Sequence, residues 1–155
     1  MDARTLLTPI EQIRYRPATF IKPGMTALEA ARLMQTNRVG CLLVVNDHRQ
    51  LIGILTDRDF LRLAARGRQS LEGAHVEDFM TGEPEYLHCG DPLAFAVNLM
   101  AVGRFRHVPL VAGDNREPVG YISSADIVRF LAKSIESTMA TSETSPSETT
   151  ARRTP

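Results

Sequence analysis

Two stretches of the chain place a hydroxyl three residues ahead of a carboxylate: Gly53-Ile54-Leu55-Thr56-Asp57-Arg58-Asp59 and Gly120-Tyr121-Ile122-Ser123-Ser124-Ala125-Asp126. Each reads glycine, two apolar residues, Ser or Thr, two variable residues, aspartate. Taken alone, Ser/Thr-x-x-Asp is helix-start chemistry, in which the side chains satisfy amides of the first turn. The other reactive side chains form no comparable pattern. His48, His75, His88 and His107 have no metal-ligand spacing with one another or with Cys41 and Cys89. His88 and Cys89 are adjacent, so on a strand they point to opposite faces. No nucleophile–base pair and no phosphate loop is legible. Cys41 lies in an apolar run, where a thiol is inert. Neither catalysis nor a metal site is expected.

The elements that position the two motifs repeat as well. Ile10-Glu11-Gln12-Ile13 matches Val76-Glu77-Asp78-Phe79, Ala30…Met34 matches Ala96…Met100, Arg38 matches Arg104, and Leu42-Leu43-Val44-Val45 matches Val108-Pro109-Leu110-Val111, all at a shift of 66. The shift becomes 67 at Gly53 and Gly120, which places one extra residue near Gly113-Asp114-Asn115, a turn. The chain is a tandem duplication. Each copy reads strand, helix, strand, strand, helix. In the first, Ala18–Ile21 is extended and Thr26-Ala27-Leu28-Glu29 is a capping box. Leu28, Ala31, Leu33 and Met34 give that helix its apolar side. Cys41–Val45 is a strand buried on both faces, 46–50 a turn, Leu51–Leu55 a strand, and a helix from Asp57 to about Arg66 ends at Gly67. In the second, Tyr86–His88 is extended, and Asp91-Pro92 starts a helix as N-cap and first-turn proline. Val108–Ala112 and Val119–Ile122 pair, and Ser123 or Ser124 caps a helix to about Ser137. The expected domains are 10–67 and 76–137, with a linker at 68–75. A tail at 138–155, half Ser or Thr, is expected to be disordered.

Composition excludes several classes. The chain has 155 residues, 43% hydrophobic, with no net charge and a pI near 6.9. Zero net charge gives no basis for nucleic-acid binding, which rests on positive charge, and no recognition helix is visible. Arg62, Arg66 and Arg68 read as a solvated face. No apolar run is long enough for a membrane span or a signal peptide, so a cytoplasmic location with free thiols is expected. A unit of about 60 residues buries too little surface to be secure alone. The two copies are therefore expected to pack sheet to sheet with pseudo-twofold symmetry. The groove between them would lie where the Thr56 and Ser123 helices begin.

Taken together, the two motifs, the Ala30…Met34 and Ala96…Met100 helices, and Arg106-His107-Val108-Pro109-Leu110-Val111 resemble a tandem CBS-domain pair, or Bateman module, over about residues 10 to 136. The resemblance implies an α+β fold and a regulatory, non-enzymatic module without a cofactor of its own. It implies a homodimer, an adenosine-containing ligand (AMP, ADP or ATP, with Mg2+ accompanying ATP, or S-adenosylmethionine) and a separate effector protein. A stand-alone module, with no enzyme or channel domain within these 155 residues, is expected.

The resemblance also assigns roles. Asp59 or Asp126 would accept hydrogen bonds from a ribose diol, as acidic residues do in dinucleotide-binding folds. Thr56 or Ser123 would donate to the sugar or α-phosphate, over a helix start that favours anions. Asp57, Arg58 and Ser124 lie within the motifs, and Gly53 and Gly120 allow close approach. Hairpin residues and Phe20 or Tyr86 would enclose the adenine, and the backbone of Thr19-Phe20 and Glu85-Tyr86 would read its edge. Arg106 and His107, followed by Val108 and Pro109, stand where the first copy has Gly40 and Cys41, so the two sites differ in phosphate-binding equipment. His107 adds a group that titrates near neutrality. The first copy lacks the Met80-Thr81 lead-in, having Arg14-Tyr15 there. The phosphate-directed arginines favour an adenine nucleotide over S-adenosylmethionine. The competing expectation is a ligand-free scaffold in which Thr56 and Ser123 only cap helices.

Overall fold

A computed structural model of the chain describes residues 3–142. Helix α1 (Ala3–Leu6) and a 3-10 turn (Ile10–Gln12) lead to β1 (Arg16–Pro17). The first repeat follows as β2 (Phe20–Ile21), α2 (Ala27–Asn37), β3 (Cys41–Val45), β4 (Leu51–Thr56) and α3 (Asp57–Ala64). Helices α4 (Arg68–Gly73) and α5 (Val76–Phe79) and strand β5 (Thr81–Gly82) connect the repeats. The second repeat is β6 (Leu87–His88), α6 (Leu93–Gly103), β7 (His107–Ala112), β8 (Glu117–Ser123) and α7 (Ser124–Ser142). Both copies thus have the expected strand–helix–strand–strand–helix order.

The sheets exchange their edges. Their orders are β2-β3-β4-β5 and β1-β8-β7-β6. The strand ahead of each repeat therefore completes the sheet of the other. The packing crosses over too. Ile10 and Ile13 lie in the second repeat's core with Leu93, Leu110 and Ile122, while Val76 joins Ile21, Leu42 and Leu55 in the first. Two units too small to stand alone become one interlocked body.

Register identifies the true counterparts. Ile54 pairs with Thr81, and Tyr121 pairs with Arg16. Ile54 and Tyr121 hold the same motif position, so Arg16 is the counterpart of Thr81 and Tyr15 that of Met80. The sequence match of Tyr15 with Thr81 is off by one. The motif glycines agree with this. A Cβ on Gly53 would strike Met80 Sδ, and one on Gly120 would lie 2.5 Å from the Arg16 carbonyl and 2.8 Å from the Tyr15 ring.

Strand alternation divides the core into layers. On β3, Leu42 and Val44 face the helices, with Ala30 and Val76. Cys41 and Leu43 face the opposite sheet, meeting Leu51, Ile54, Val111 and Tyr121. That accounts for a strand buried at every position.

Several local expectations need correction. Thr26 and Glu29 form the capping box of α2, but Leu28 is exposed and the buried positions are Ala27 and Ala30. The N-cap of α6 is Pro92, and the Asp91 carboxylate instead accepts from the His88 amide, 2.8 Å away, closing the preceding turn. Helix α3 stops at Ala64, because the chain tightens toward Gly67 at φ 111°. The expected linker contains the helix α4, supported by an Arg68–Glu72 pair and by Leu71 packing beside Leu63. Helix α7 continues to Ser142, past the point where disorder was expected. The Ser137 and Thr138 hydroxyls bond to carbonyls one turn back, so polar residues there remain helical. Residues 143–155 of the expected disordered tail lie outside the described residues.

Candidate functional site

Strand β4 ends and α3 begins at Thr56, which brings Asp59 back over the strand end. The Asp59 Oδ2 accepts from the Thr56 amide at 2.8 Å and from its hydroxyl at 2.9 Å. Oδ1 accepts from the Thr81 hydroxyl at 3.3 Å and lies 3.6 Å from Arg62 Nη1. Asp59 is only 4% exposed, so a partner is obligatory for its charge.

In front of Asp59 lies a cavity of about 250 Å³ between the repeats. Ile54, Phe105 and Pro109 supply apolar wall, Thr81 and Glu85 one rim, Arg58, Arg62 and Arg106 the cations, and His107 an imidazole beside them. Arg58 Nη1 donates to the Arg104 carbonyl at 3.0 Å, and Arg106 Nη2 lies 3.4 Å from Asp57 Oδ2. Arg106 and His107 line the cavity of Asp59 as well as the space beside Ser123 of their own copy, so the phosphate-directed residues of both copies meet at Asp59. His107 stacks edge-on to Tyr121 at 5.6 Å and rests against Gly40, where a Cβ would lie 2.9 Å from Nε2. Burial pushes the His107 pKa below its usual value, with Asp57 opposing and Arg106 assisting, so its ring is neutral at physiological pH.

The Asp126 end repeats the cap with different neighbours. The Asp126 Oδ2 accepts from the Ser123 amide at 3.1 Å and from the Ser123 hydroxyl, which in turn accepts from the Asp126 amide. Oδ1 accepts from Arg129 Nη1 at 3.0 Å and lies 3.5 Å from Arg16 Nε. Burial alone would raise the Asp126 pKa. The Ser123 hydrogen bonds and the Arg16 and Arg129 guanidinium groups outweigh it and hold the carboxyl below the usual range. Ser123, Ser124 and Gly40 line a space with Arg16, Arg106, His107 and Tyr121, while Asp126 lines a neighbouring hollow with Arg16, Arg129 and Lys133.

Other expected site residues fall elsewhere. Phe20 is 40% exposed and lines a separate hollow with Lys22, Val45 and Pro118. Tyr86 packs into the inter-sheet layer under the Arg116 guanidinium, so neither ring faces the Asp59 cavity. Cys41 and Val108 are fully buried, and burial drives the Cys41 thiol far above its ordinary pKa, leaving it inert. Thr19 serves the sheet, its carbonyl accepting from the Leu43 amide at 3.0 Å. Gly53 and Gly120 make room for the crossing lead-in segment, Met80 at the first and Tyr15-Arg16 at the second. Sequence reasoning missed Arg62, Thr81, Arg16 and Arg129 as groups around the two aspartates. Spacing offered one signal: Arg62 and Arg129 each follow their aspartate by three residues, one helical turn. Among the described residues no acidic, histidine or cysteine cluster suits a metal ion, and no helix is long and apolar enough to cross a membrane.

The CBS domain profile matches residues 10–66 and again 76–133, so the chain belongs to the CBS domain family, as a tandem pair. Among relatives, an uncharacterized 17.7 kDa protein of Acidianus ambivalens is 28% identical over 81% of this chain and 74% of its own. The Arabidopsis thaliana CBS domain-containing protein CBSCBSPB5 is 30% identical, but the chain spans only 24% of its length. Among solved structures, the CBS domain pair of protein MJ0100, in complex with 5′-methylthioadenosine and S-adenosyl-L-methionine, matches with TM-score 0.74 at 25% identity, covering 83% of this chain and 98% of that one. The structure of CBSX2 in complex with AMP matches with TM-score 0.69 at 27% identity, covering 83% and 98%.

Proposed function

We propose that this CBS pair is a regulatory module that senses adenine nucleotides at the Asp59 cavity and signals to a partner protein by a change of shape. The observation that carries the reading is the convergence of a buried carboxylate, an apolar wall and the Arg58, Arg106 and His107 side chains in one cavity between the repeats. The carboxylate suits a ribose diol, and planar guanidinium groups suit phosphate oxygens. AMP in CBSX2 and the two adenosyl ligands in MJ0100 support an adenosine-based ligand. The arginines favour AMP, ADP or ATP over S-adenosylmethionine, whose sulfonium is itself cationic. Mg2+ would arrive with ATP rather than at a site of the protein's own. A ligand that bridges the repeats shifts the module only by its preference for one arrangement. Exposed apolar side chains on the helices, including Leu61, Val128 and Ile135, support a homodimer.

The scaffold reading has an observation of its own: both aspartates already make cap bonds. Thermal unfolding against AMP, ADP, ATP, S-adenosylmethionine and GTP separates the two. Ligand at a hundred times its dissociation constant adds about 2.7 kcal/mol, a shift of several degrees. A shift with adenine nucleotides that Asp59→Asn removes is the expected result. No shift with any of them at millimolar concentration favours the scaffold.

A further inference from the structure

We infer that Arg16 closes the Asp126 half of the groove to a nucleoside, so that the chain binds one nucleotide, at Asp59. This rests on the nucleotide-sensing reading above.

The two halves share nearly everything around the carboxylate. Thr56 corresponds to Ser123 and Arg62 to Arg129, each pair in the same relation to its aspartate. The groups on the carboxylate itself differ at one register position, where the first half has Thr81 and the second has Arg16. Thr81 brings a small neutral hydroxyl to Asp59 Oδ1. Arg16 brings a permanent cation to Asp126 Oδ1, which already accepts from Arg129 at 3.0 Å, while Oδ2 is engaged by the Ser123 amide and hydroxyl.

A carboxylate offers about four acceptor positions. At Asp126 four groups surround it, two of them guanidinium groups, and the residue is 4% exposed. A ribose diol would have to displace a cation from a buried anion. At Asp59 it displaces a neutral hydroxyl and an exposed Arg62 that stands 3.6 Å away. Arg16 also lines two separate hollows: one with Gly40, Ser123 and Ser124, which Asp126 does not line, and another with Asp126, Tyr15 and Lys133. The Asp59 half, by contrast, is one cavity from Thr81 to His107.

The test is calorimetric titration of the full chain with ADP. Wild type is expected to bind one ADP per chain, lost in Asp59→Asn and unaffected by Asp126→Asn. Arg16→Thr is expected to bind two, the second lost on adding Asp126→Asn. The reciprocal Thr81→Arg should weaken binding at Asp59 at least about tenfold, the scale of one charge-assisted contact, with melting curves reporting that the variant is folded. Two sites in wild type, or a folded Arg16→Thr that still binds one, overturns the inference and leaves the sensing reading intact. Should Arg16→Thr not fold, wild-type stoichiometry and Thr81→Arg decide: one site with weakening supports it, and two sites or undiminished binding overturns it. No binding of ADP, AMP or ATP by any folded form overturns the sensing reading and this inference with it.

Discussion

Arg106 Nη2 lies 3.4 Å from Asp57 Oδ2, joining the start of β7 in the second repeat to the first turn of α3 in the first. Both side chains are more than half exposed, so the pair itself adds little stability. Its value is positional: it holds a guanidinium at the mouth of the Asp59 cavity, where an incoming phosphate competes with Asp57. Arg106→Ala should therefore weaken ADP and ATP by about tenfold or more while leaving adenosine affinity nearly unchanged, since charge-assisted hydrogen bonds contribute about 1.5–3 kcal/mol. Calorimetry with ADP and adenosine side by side measures the split.

The two aspartates should differ in what they contribute to folding. Asp59→Ala removes a helix cap, a loss of about 1 kcal/mol. Asp126→Ala removes the equivalent cap and also leaves Arg16 and Arg129 without their shared anion. The expected order in urea unfolding is wild type, then Asp59→Ala, then Asp126→Ala as the least stable.

Stability should fall toward acid in two stages. Burial depresses the folded pKa of His107, so the unfolded chain takes its proton first as pH drops. The His107 contribution is full above about pH 6.5 and declines as pH falls through the folded value. The Asp126 pKa is also lowered on folding. Its contribution is full above about pH 3.9 and is lost as pH falls through its folded value. Urea midpoints between pH 8 and 3 check the pattern, and His107→Gln should remove the upper stage only. A phosphate beside His107 favours its charged form, so nucleotide binding near pH 6 should take up a proton. Titrations in buffers of different ionisation enthalpy read that uptake directly.

The motif glycines predict a packing defect rather than a binding one. Gly120→Ala places a methyl against the Arg16 carbonyl, which is backbone and yields little. A loss of about 1–3 kcal/mol is expected. Gly53→Ala meets the flexible end of Met80 and should cost less. Both are measured by urea unfolding.

How far these features could be read from the sequence depends on whether they are local. The capping box at Thr26-Glu29, the fully buried run Cys41–Val45 and the Thr56 and Ser123 helix starts each rest on neighbouring residues, and each stands in the structure. The edge exchange does not. Nothing in Arg16-Pro17 or Thr81-Gly82 says that each strand pairs with the other repeat. Missing that exchange hid Arg16 and Thr81, each of which reaches a carboxylate far away in sequence. The family resemblance placed Phe20 and Tyr86 at the adenine. Tyr86 turns instead to the inter-sheet layer and Arg116, and Phe20 to a hollow near Pro118.

The most direct test of the central claim is a crystal structure of the full chain grown with saturating ADP. The account predicts ADP in the cavity between the repeats, its ribose hydroxyls on the Asp59 carboxylate and its phosphates between Arg106 and His107. ADP bound away from Asp59, or an Asp59 cavity left without nucleotide while solution binding is saturated, would contradict it.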